Sequence, residues 1–434
     1  MPDMPAGAQP LPKLLIVAPN ASSVFGGEAY IPLRYFAILK DRGYPVTLVT
    51  HARNRADLAQ AVAAHVSDIA FVEDTAMHRA LHRWSGRCPK IVGDAVFGTL
   101  MAALDGVLQT RLVRRIIHAE RPDVIHQPTP VSPLAPSGLH RFGLPLVVGP
   151  MNGGMHYPPG YADLENGVRR RFVALSRGIA RGLNRLVPGK RHAAVLLVAN
   201  RRTRDALPFR RHRDIRTLVE NGVDLATWTS PQPARVSDSA AAGSLRLVYM
   251  GRLVDWKLVD VTLDAVRLAI NRGAAIRLDI VGDGPERGRL EARAAELDLE
   301  HAVRFTGFLP QARCAELLAE ADALILNSVW ECGGAVVLEA MAAGLPVIAS
   351  DWGGPADYLD AGCGILVSPV PRAGFAMRLA DAVLRLADDP PLRRTMGQAG
   401  ARKVAERYDW QKKVDAMIGI YAEVARGQVR EAGA

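Results

Sequence analysis

Short apolar runs recur along the chain, and each is followed by a loop and a stretch with helical spacing. Such uninterrupted runs are typical of parallel strands buried on both faces, whereas the amphipathic stretches between them indicate helices. The runs of four to six residues that we predict as strands are Leu14–Ala18, Val46–His51, Asp123–His126, Leu146–Gly149, Ala194–Ala199, Leu245–Met250, Ala323–Asn327 and Val347–Ser350. The alternation predicts an α/β protein with parallel sheets of the Rossmann-like type.

A shift in composition divides this pattern in two. The stretch from Ser230 to Ser244 is rich in Pro, Ser and Ala, as flexible linkers are, and a new strand begins at Leu245. We therefore predict one domain over residues 11–230, a linker over residues 231–244 and a second domain over residues 245–406, followed by a helical segment over residues 407–434.

The densest pattern, over residues 321–359, indicates a strand, a Gly-rich turn, a helix and another strand. The turn contains Glu331, Gly333 and Gly334 and leads into a helix over residues 335–343. Bare backbone amides at a helix N-terminus, placed at the carboxyl edge of a parallel sheet, bind phosphate groups well. We therefore predict an anion site at this turn.

Two carboxylates frame the turn, Glu331 in the loop and Glu339 inside the helix, with seven residues between them. Because acids repel a phosphate, their partners should be neutral hydroxyl groups on either side of it, such as those of a ribose and a hexose. That combination describes a nucleotide sugar. Each Glu alone is equally well explained as a capping or solvated residue, and only the pair together with the glycines favours a site.

The segment Glu331-Cys-Gly-Gly-Ala-Val-Val-Leu-Glu339, with the Ala-Met-Ala-Ala-Gly-Leu-Pro-Val-Ile-Ala-Ser that follows, resembles the E-x7-E signature of retaining glycosyltransferases of family 4. These group 1 glycosyltransferases have the GT-B fold, in which two Rossmann-like domains face each other across a cleft. The resemblance implies that Glu331 contacts donor-sugar hydroxyls and Glu339 the ribose. Cys332-Gly333 departs from the Gly-Phe that is usual there. The implied fold assigns the donor to the second domain, the acceptor to the first, and a terminal segment that crosses back.

Two cations follow the strand that ends at Met250, namely Arg252 and Lys257. A departing diphosphate gains negative charge, so cations fixed beside it stabilise the transition state more than the ground state. The family binds donor phosphates with Arg and Lys at matching positions, although Leu258 stands here where a Gly is usual. The resemblance thus implies Arg252, Lys257 and Glu331 as catalytic residues, and as donor-binding residues Gly26, Gly27, Gly307, Gly334, Ala335, Val336 and Glu339.

The first strand leads into Gly26-Gly27-Glu28, a loop that is not a G-x-G-x-x-G fingerprint and so does not support a dehydrogenase. It resembles the family's loop beside donor phosphate and acceptor. Many members also place an active-site His after the strand at residues 146–149, where this chain has Pro150. The acceptor-side candidates are Glu28, His126, Asn152, Gly153 and His156, and a structural role is the alternative for each His.

Charge is distributed unevenly along the chain. The net charge is +10, and residues 165–216 hold fifteen Lys and Arg against three Asp and Glu. An amphipathic helix is predicted there, with Arg177, Arg181 and Arg185 on one face and an apolar stripe of Val168, Phe172, Leu175, Ile179, Leu183 and Leu186. Its basic face is either solvated or docked on an anionic membrane surface beside a lipid-linked acceptor. Nucleic acid is disfavoured, because no recognition motif accompanies the charge.

Four cysteines, Cys88, Cys314, Cys332 and Cys363, form no C-x-x-C pair and no metal-like cluster with histidines, which suits a reducing compartment. The first residues carry neither a basic region nor a long apolar core, and no apolar run reaches transmembrane length. We therefore expect a cytoplasmic protein. If the basic helix docks on an anionic membrane surface, the protein would be peripheral on the inner face of the cell membrane. No metal and no cofactor are expected.

Together these observations predict transfer of a hexosyl group from a UDP- or GDP-sugar to a hydroxyl of a saccharide or lipid-linked acceptor, as in surface polysaccharide synthesis. Retention of configuration is implied by the resemblance. No nucleophile is evident, so a front-face mechanism is preferred, in which the leaving phosphate takes the acceptor proton. A GT-B epimerase or phosphorylase and a non-catalytic nucleotide-binding scaffold are the alternatives, and the products of the reaction distinguish them.

Overall fold

The computed structural model describes residues 11–24, 26–85, 98–164, 178–229 and 244–432. Contacts between Cα atoms divide the chain into two compact units. The amino-terminal unit consists of Met1–Gly153, Ser176–Glu220 and Val414–Ala434, and the carboxy-terminal unit of Gly154–Leu175 and Asn221–Lys413. Most of the linker predicted over residues 231–244 lies outside the described residues.

The amino-terminal unit is built on a seven-stranded parallel sheet with the order β3-β2-β1-β4-β5-β6-β7. Its strands are β1 (Leu14–Val17), β2 (Val46–His51), β3 (Ile69–Val72), β4 (Val124–Gln127), β5 (Leu146–Met151), β6 (Val195–Val198) and β7 (Ile215–Thr217). The α-helices between them are Gly27–Asp41, Arg55–Ala61, Ala76–Ser85, Gly98–Glu120, residues 178–186, Gly189–His192 and Arg201–Asp205. The side chains of β1 and β6 are buried throughout, as expected for strands covered on both faces.

The carboxy-terminal unit has a six-stranded parallel sheet with the order β10-β9-β8-β11-β12-β13. Its strands are β8 (Leu245–Met250), β9 (Ile276–Val281), β10 (Val303–Gly307), β11 (Ala323–Leu326), β12 (Val347–Ser350) and β13 (Gly364–Val367). The α-helices are Leu225–Trp228, Val259–Asn271, Arg287–Glu296, Gln311–Glu320, Ala335–Ala342, Gly354–Tyr358, Phe375–Asp388 and Pro390–Arg407. The helix Trp410–Ala432 belongs to the amino-terminal unit from Val414 onward.

Both sheets reverse their strand order at one point, between β1 and β4 in the first unit and between β8 and β11 in the second. Loops that leave neighbouring strands at such a switch point run in opposite directions and open a crevice at the carboxyl ends of the strands. The predicted Gly26-Gly27 loop follows β1, and the predicted cation and carboxylate loops follow β8 and β11. The two doubly wound sheets confirm the expected α/β class with two Rossmann-like domains.

Within the described part of the chain, no helix is both long enough and apolar enough to cross a membrane.

Candidate active site

The loop after β11 presents a helix N-terminus at the switch point of the carboxy-terminal unit. Gly334 precedes the helix Ala335–Ala342 with a φ of 76°, a left-handed conformation that favours glycine. No side chain among the described residues caps this helix start. The amides of the first turn, which include those of the predicted residues Ala335 and Val336, can therefore receive an anion.

A second glycine turn, at Gly353 and Gly354, packs against this loop. The amide of Gly354 donates to the carbonyl of Glu331 at 2.8 Å. A Cβ atom at Gly354 would lie 2.2 Å from the carbonyl oxygen of Gly333, so only glycine allows this approach. This turn carries no local sequence signal, because its role depends on contacts with Glu331 and Gly333 in an earlier loop of the chain.

The loop after β8 brings a cation to the same place. The ammonium of Lys257 contacts the Glu331 carboxylate in an ion pair, with the side chains only 13% and 17% exposed. Lys257 and Glu331 were predicted to bind different parts of a donor, and the structure joins them directly. Arg252, the other predicted cation, is exposed on the same loop.

A cavity of about 400 Å³ adjoins this loop at the carboxyl ends of β8, β9 and β10. Phe308 stands at its edge with 82% of its surface exposed, directly after the predicted residue Gly307. Its lining residues are Met250, Gly251, Arg252, Val281, Gly282, Asp283, Phe308, Leu309 and Cys314. A largely apolar pocket with an exposed aromatic ring and one Arg suits a planar, polar heterocycle.

Glu339 lies inside the helix that begins at Gly334, close to the cavity wall. Burial raises the pKa of Glu339 to about 7, and its charge adds to the effect of burial in raising the pKa of Cys314, which lines the cavity. A carboxyl group in such surroundings gains from neutral hydroxyl donors, which stabilise its ionised form without adding charge.

In the amino-terminal unit, the Gly26-Gly27 turn is open, and a Cβ atom at either glycine would meet nothing within 4 Å. Gly26 has a φ of 89° and begins the helix Gly27–Asp41 without a side-chain cap from any residue that the structure describes. Glu28 is exposed, and its carboxylate accepts the amide of Val131 at 3.0 Å, which ties this turn to the loop after β4.

Two other acceptor-side candidates, His126 and Asn152, form hydrogen bonds with groups of the amino-terminal unit. His126 is fully buried, and its Nε2 and Nδ1 atoms lie 2.7 Å from the Gly149 carbonyl and 2.8 Å from the Tyr421 hydroxyl. Burial lowers the pKa of His126 to about 4, so its ring is neutral. Asn152 is 4% exposed and donates to Glu220 at 2.7 Å. Both side chains are therefore engaged in hydrogen bonds within the amino-terminal unit, and their assignment to the acceptor stays a prediction.

The remaining candidates lie on either side of the division between the units. The amide of Gly153 donates to the Thr203 hydroxyl at 3.1 Å in the amino-terminal unit. His156 belongs to the carboxy-terminal unit, where its carbonyl accepts the indole N–H of Trp352 at 2.9 Å and its exposed ring stands edge-on to that indole. The loop after β5 therefore contributes residues to both units.

The basic stretch is described from residue 178 onward, so Val168, Phe172, Leu175 and Arg177 lie outside the described residues. In the helix of residues 178–186, Asn184 is buried and its amide donates to the Leu134 carbonyl at 2.7 Å. Ile179, Leu183 and Leu186 are 55%, 42% and 78% exposed. The apolar stripe predicted there faces solvent in the described part of the helix.

A cluster of two histidines and an aspartate was not among the predicted features, which excluded only a metal-like cluster of the cysteines with histidines. His51, Asp74 and His78 place ligand atoms within 4.8 Å of one another, and both Nε2 atoms approach Asp105, at 3.3 and 3.0 Å. Each Nδ1 atom accepts a backbone amide, that of Arg53 or Thr75. The protons therefore lie on the Nε2 atoms, where a cation would have to bind. The Nε2 atom of His78 is hydrogen-bonded to Asp105, and that of His51 lies 3.3 Å from the same carboxylate.

Comparison with known proteins agrees with this geometry. Residues 235–403 match the family model for glycosyl transferases group 1. Over 213 residues the chain is 32% identical to a glycogen synthase of Mycobacterium tuberculosis, covering 49% of each chain. It is 34% identical over 192 residues to the lipopolysaccharide core biosynthesis glycosyltransferase LpsD of Rhizobium meliloti, covering 44% of this chain and 53% of the relative. The matches span about half the length of these curated relatives.

The fold is shared over a longer stretch. The crystal structure of Anabaena Alr3699/HepE in complex with UDP and glucose matches with a TM-score of 0.63 at 19% identity, covering 95% of this chain and 100% of that one. A sucrose-phosphate synthase of Thermosynechococcus elongatus matches with a TM-score of 0.65 at 17% identity, covering 96% and 100%. Together with the two parallel sheets, these matches show the GT-B fold. The match of residues 235–403 to the group 1 glycosyl transferases and the GT-B fold therefore point to the same family.

Proposed function

We propose that the protein is a glycosyltransferase that moves a hexosyl group from a UDP- or GDP-sugar to an acceptor hydroxyl. The observation that carries this proposal is the ion pair between Lys257 and Glu331 at the switch point between β8 and β11. Lys257 contacts Glu331 beside a helix start without a side-chain cap from the described residues, next to a cavity that can hold a base. A structural neighbour was solved with UDP and glucose, which agrees with such a donor.

In this scheme the diphosphate binds the amides after Gly334 together with Arg252 and Lys257. The amides are fixed by the fold, and the two cations approach the diphosphate when the donor binds, so that all of them can stabilise the charge that develops on the leaving group. Glu331 then accepts hydroxyl groups of the sugar and Glu339 those of the ribose. Lys257 has three N–H groups and can turn from Glu331 toward a phosphate oxygen when the donor arrives.

We further propose retention of configuration by a front-face route. None of the described side chains at the switch point stands out as a nucleophile, and the leaving phosphate can accept the proton of the acceptor hydroxyl. The amino-terminal unit would supply the acceptor site, with Glu28 as an exposed candidate on the open turn that follows β1.

The acceptor that we propose is a lipid-linked saccharide at an anionic membrane surface. The exposed residues Ile179, Leu183 and Leu186 form an apolar face beside the exposed cations Arg181 and Arg185. Basic residues next to apolar ones suit a surface that offers both acyl chains and anionic headgroups. The relative LpsD is named for lipopolysaccharide core biosynthesis, which is consistent with such an acceptor.

The test is a calorimetric titration of the protein with UDP, GDP, UDP-glucose and GDP-mannose, followed by product analysis of the donor that binds. Transfer releases a nucleoside diphosphate and a glycosylated acceptor with the donor's anomeric configuration. An altered donor would instead indicate an epimerase, and a sugar phosphate formed with inorganic phosphate a phosphorylase. Nucleotide binding without any turnover would indicate a scaffold.

A further inference from the structure

Tyr249 is a buried polar residue that the proposed reaction does not use. It lies on β8, two residues before Gly251, and its side chain is fully buried. Its hydroxyl has no hydrogen-bond partner within the described part of the chain. Because an unpaired hydroxyl in the interior is unfavourable, a state of the protein that supplies a partner is stabilised relative to this one.

The surroundings of this hydroxyl identify the partner. A Cβ atom at Gly251 would lie 3.2 Å from the Tyr249 hydroxyl and 3.8 Å from the Lys257 ammonium, so both groups border the space that this glycine leaves open. Lys257 in turn contacts Glu331. Burial, and secondarily the negative charge of Glu331, raise the pKa of Tyr249, so the phenol stays protonated and can donate.

We propose that Tyr249 is a positioning residue for Glu331. When Lys257 turns to the diphosphate, the phenol O–H donates to the Glu331 carboxylate and keeps one oxygen fixed, while the other accepts hydroxyl groups of the sugar. The sugar contact rests on the proposed function. The exchange of partners at Glu331 does not, because it requires only that Lys257 leave.

The first test therefore needs no substrate. In the wild-type background Tyr249→Phe removes an unpaired hydroxyl, so the melting temperature should stay constant or rise. In the Lys257→Ala background Glu331 is released to Tyr249, and Tyr249→Phe should lower the melting temperature by about 3 °C or more, as expected for loss of a charge-assisted hydrogen bond. Equal changes in both backgrounds would overturn the proposal.

Tyr358 provides a matched control. It is also buried in the carboxy-terminal unit, but its hydroxyl receives the amide of Asn221 at 3.1 Å. Tyr358→Phe should lower the melting temperature by the same amount with or without Lys257. A background-dependent effect of Tyr358→Phe would show that Lys257→Ala perturbs the whole unit, and the proposal would then lose its support.

The second test uses turnover of UDP-glucose or GDP-mannose, whichever the wild-type protein binds. Tyr249→Phe should lower kcat about tenfold and leave the affinity for the nucleoside diphosphate unchanged, since only Glu331 is affected. In the Glu331→Gln background the same substitution should have no further effect, and an undiminished effect would contradict the proposal. If wild-type protein binds no nucleotide, the proposed function fails, and the melting experiment still decides the role of Tyr249.

Discussion

The two units use the loops at the carboxyl ends of their strands in different ways. In the carboxy-terminal unit, the loops after β8 and β11 bring Lys257 and Glu331 together beside amides that no described side chain caps. In the amino-terminal unit, His126 at the end of β4 and Asn152 after β5 form hydrogen bonds with groups of the same unit, namely the Gly149 carbonyl and the Glu220 carboxylate. The first arrangement leaves helix amides and an ion pair for the charged donor that we propose, whereas the polar atoms of His126 and Asn152 are engaged within their own unit.

The candidate residues of the two units also rest on different kinds of sequence signal. Glu331 and Glu339 were recognised as a pair with fixed spacing around glycines, and a spacing of this kind constrains geometry within one loop and helix. His126 was chosen singly as a substitute for the family's active-site His, and Asn152 as a residue of the loop after the strand at residues 146–149. A single polar residue near a strand end can bond to the protein as readily as to a ligand, and the polar atoms of both side chains bond to the protein here.

The largest effect is expected from the cations of the carboxy-terminal unit. Arg252→Ala and Lys257→Ala should each cost about 2–4 kcal/mol of transition-state stabilisation, because each removes a fixed charge beside the leaving diphosphate. The measurement is kcat/KM for the donor. Arg304, which is exposed on β10 and paired with Asp279, is the control, and Arg304→Ala should leave kcat/KM unchanged. Activity should also survive EDTA, and a strict need for a divalent ion would assign the diphosphate charge to a metal instead.

A comparable loss with a different signature is expected at Glu331. Glu331→Gln removes the ionised acceptor of sugar hydroxyls, so kcat should fall about 100-fold while the affinity for the nucleoside diphosphate stays near normal. Glu339→Ala should instead lower the affinity for the nucleotide. Calorimetry with UDP or GDP beside steady-state kinetics separates the two effects. Full transfer activity in Glu331→Gln would remove the donor site from this switch point.

The opposite behaviour is expected of His126 in the amino-terminal unit. His126→Ala leaves a cavity and breaks the contacts with Gly149 and Tyr421, which should reduce the free energy of unfolding by about 2–4 kcal/mol. The protein that remains folded should keep its kcat. Urea unfolding and activity at low temperature measure the two quantities. A variant that is stable but inactive would place His126 in catalysis and erase the contrast between the units.

A pH dependence sharpens the assignment of Glu339. Burial raises the pKa of Glu339 from its ordinary value of 4.5 to about 7 in the folded chain. Folding therefore disfavours the ionised form of this side chain. The ligand-free protein should therefore lose up to about 3 kcal/mol of stability as pH rises from 4.5 to 7, and Glu339→Gln should abolish this loss.

Nucleotide binding should show the reverse trend, because hydroxyl groups of the ribose need the carboxylate as acceptor. Affinity for UDP or GDP should fall by up to about tenfold for each pH unit below 7 in the wild-type protein. Stability and affinity can both be followed by thermal unfolding across this pH range. A flat profile identical to that of Glu339→Gln would show that Glu339 does not titrate with binding.

The fold was predictable to the extent that its strands are interior. The eight predicted strands all lie inside the two sheets, whereas the four strands at the sheet edges, β3, β7, β10 and β13, were missed together with β9. Polar residues interrupt the apolar runs of β7 and β10, which read IRT and VRFTG. Strands β3 and β13 read IAFV and GILV and are only four residues long, so their short apolar runs were missed without such an interruption. Strand β9 carries Arg277 and Asp279 at exposed or half-buried positions, which interrupts its run as in β7 and β10.

The site was predictable only where its parts are close in sequence. The glycine turn and the two glutamates lie within a dozen residues, but the contact of Lys257 with Glu331 joins positions 74 residues apart. The Tyr421 hydroxyl that occupies His126 lies 295 residues away from it. Burial of Tyr249 likewise depends on the whole unit. Contacts of this range follow from the packing of the sheets and leave no local spacing in the sequence.

The smallest effect concerns the membrane and the exposed face of residues 178–186. Each Arg near an anionic surface contributes about 1 kcal/mol, which salt screens within a Debye length. Changing Arg181 and Arg185 together to Gln should therefore weaken co-sedimentation with anionic vesicles by up to about 30-fold at low salt and by less at high salt. Leu186→Ser, which removes a side chain that is 78% exposed, should weaken binding at both salt concentrations, because apolar insertion is not screened. Arg304→Gln is the matched control for charge. Equal, weak binding by every variant would leave a solvated face and an acceptor that is not membrane-bound.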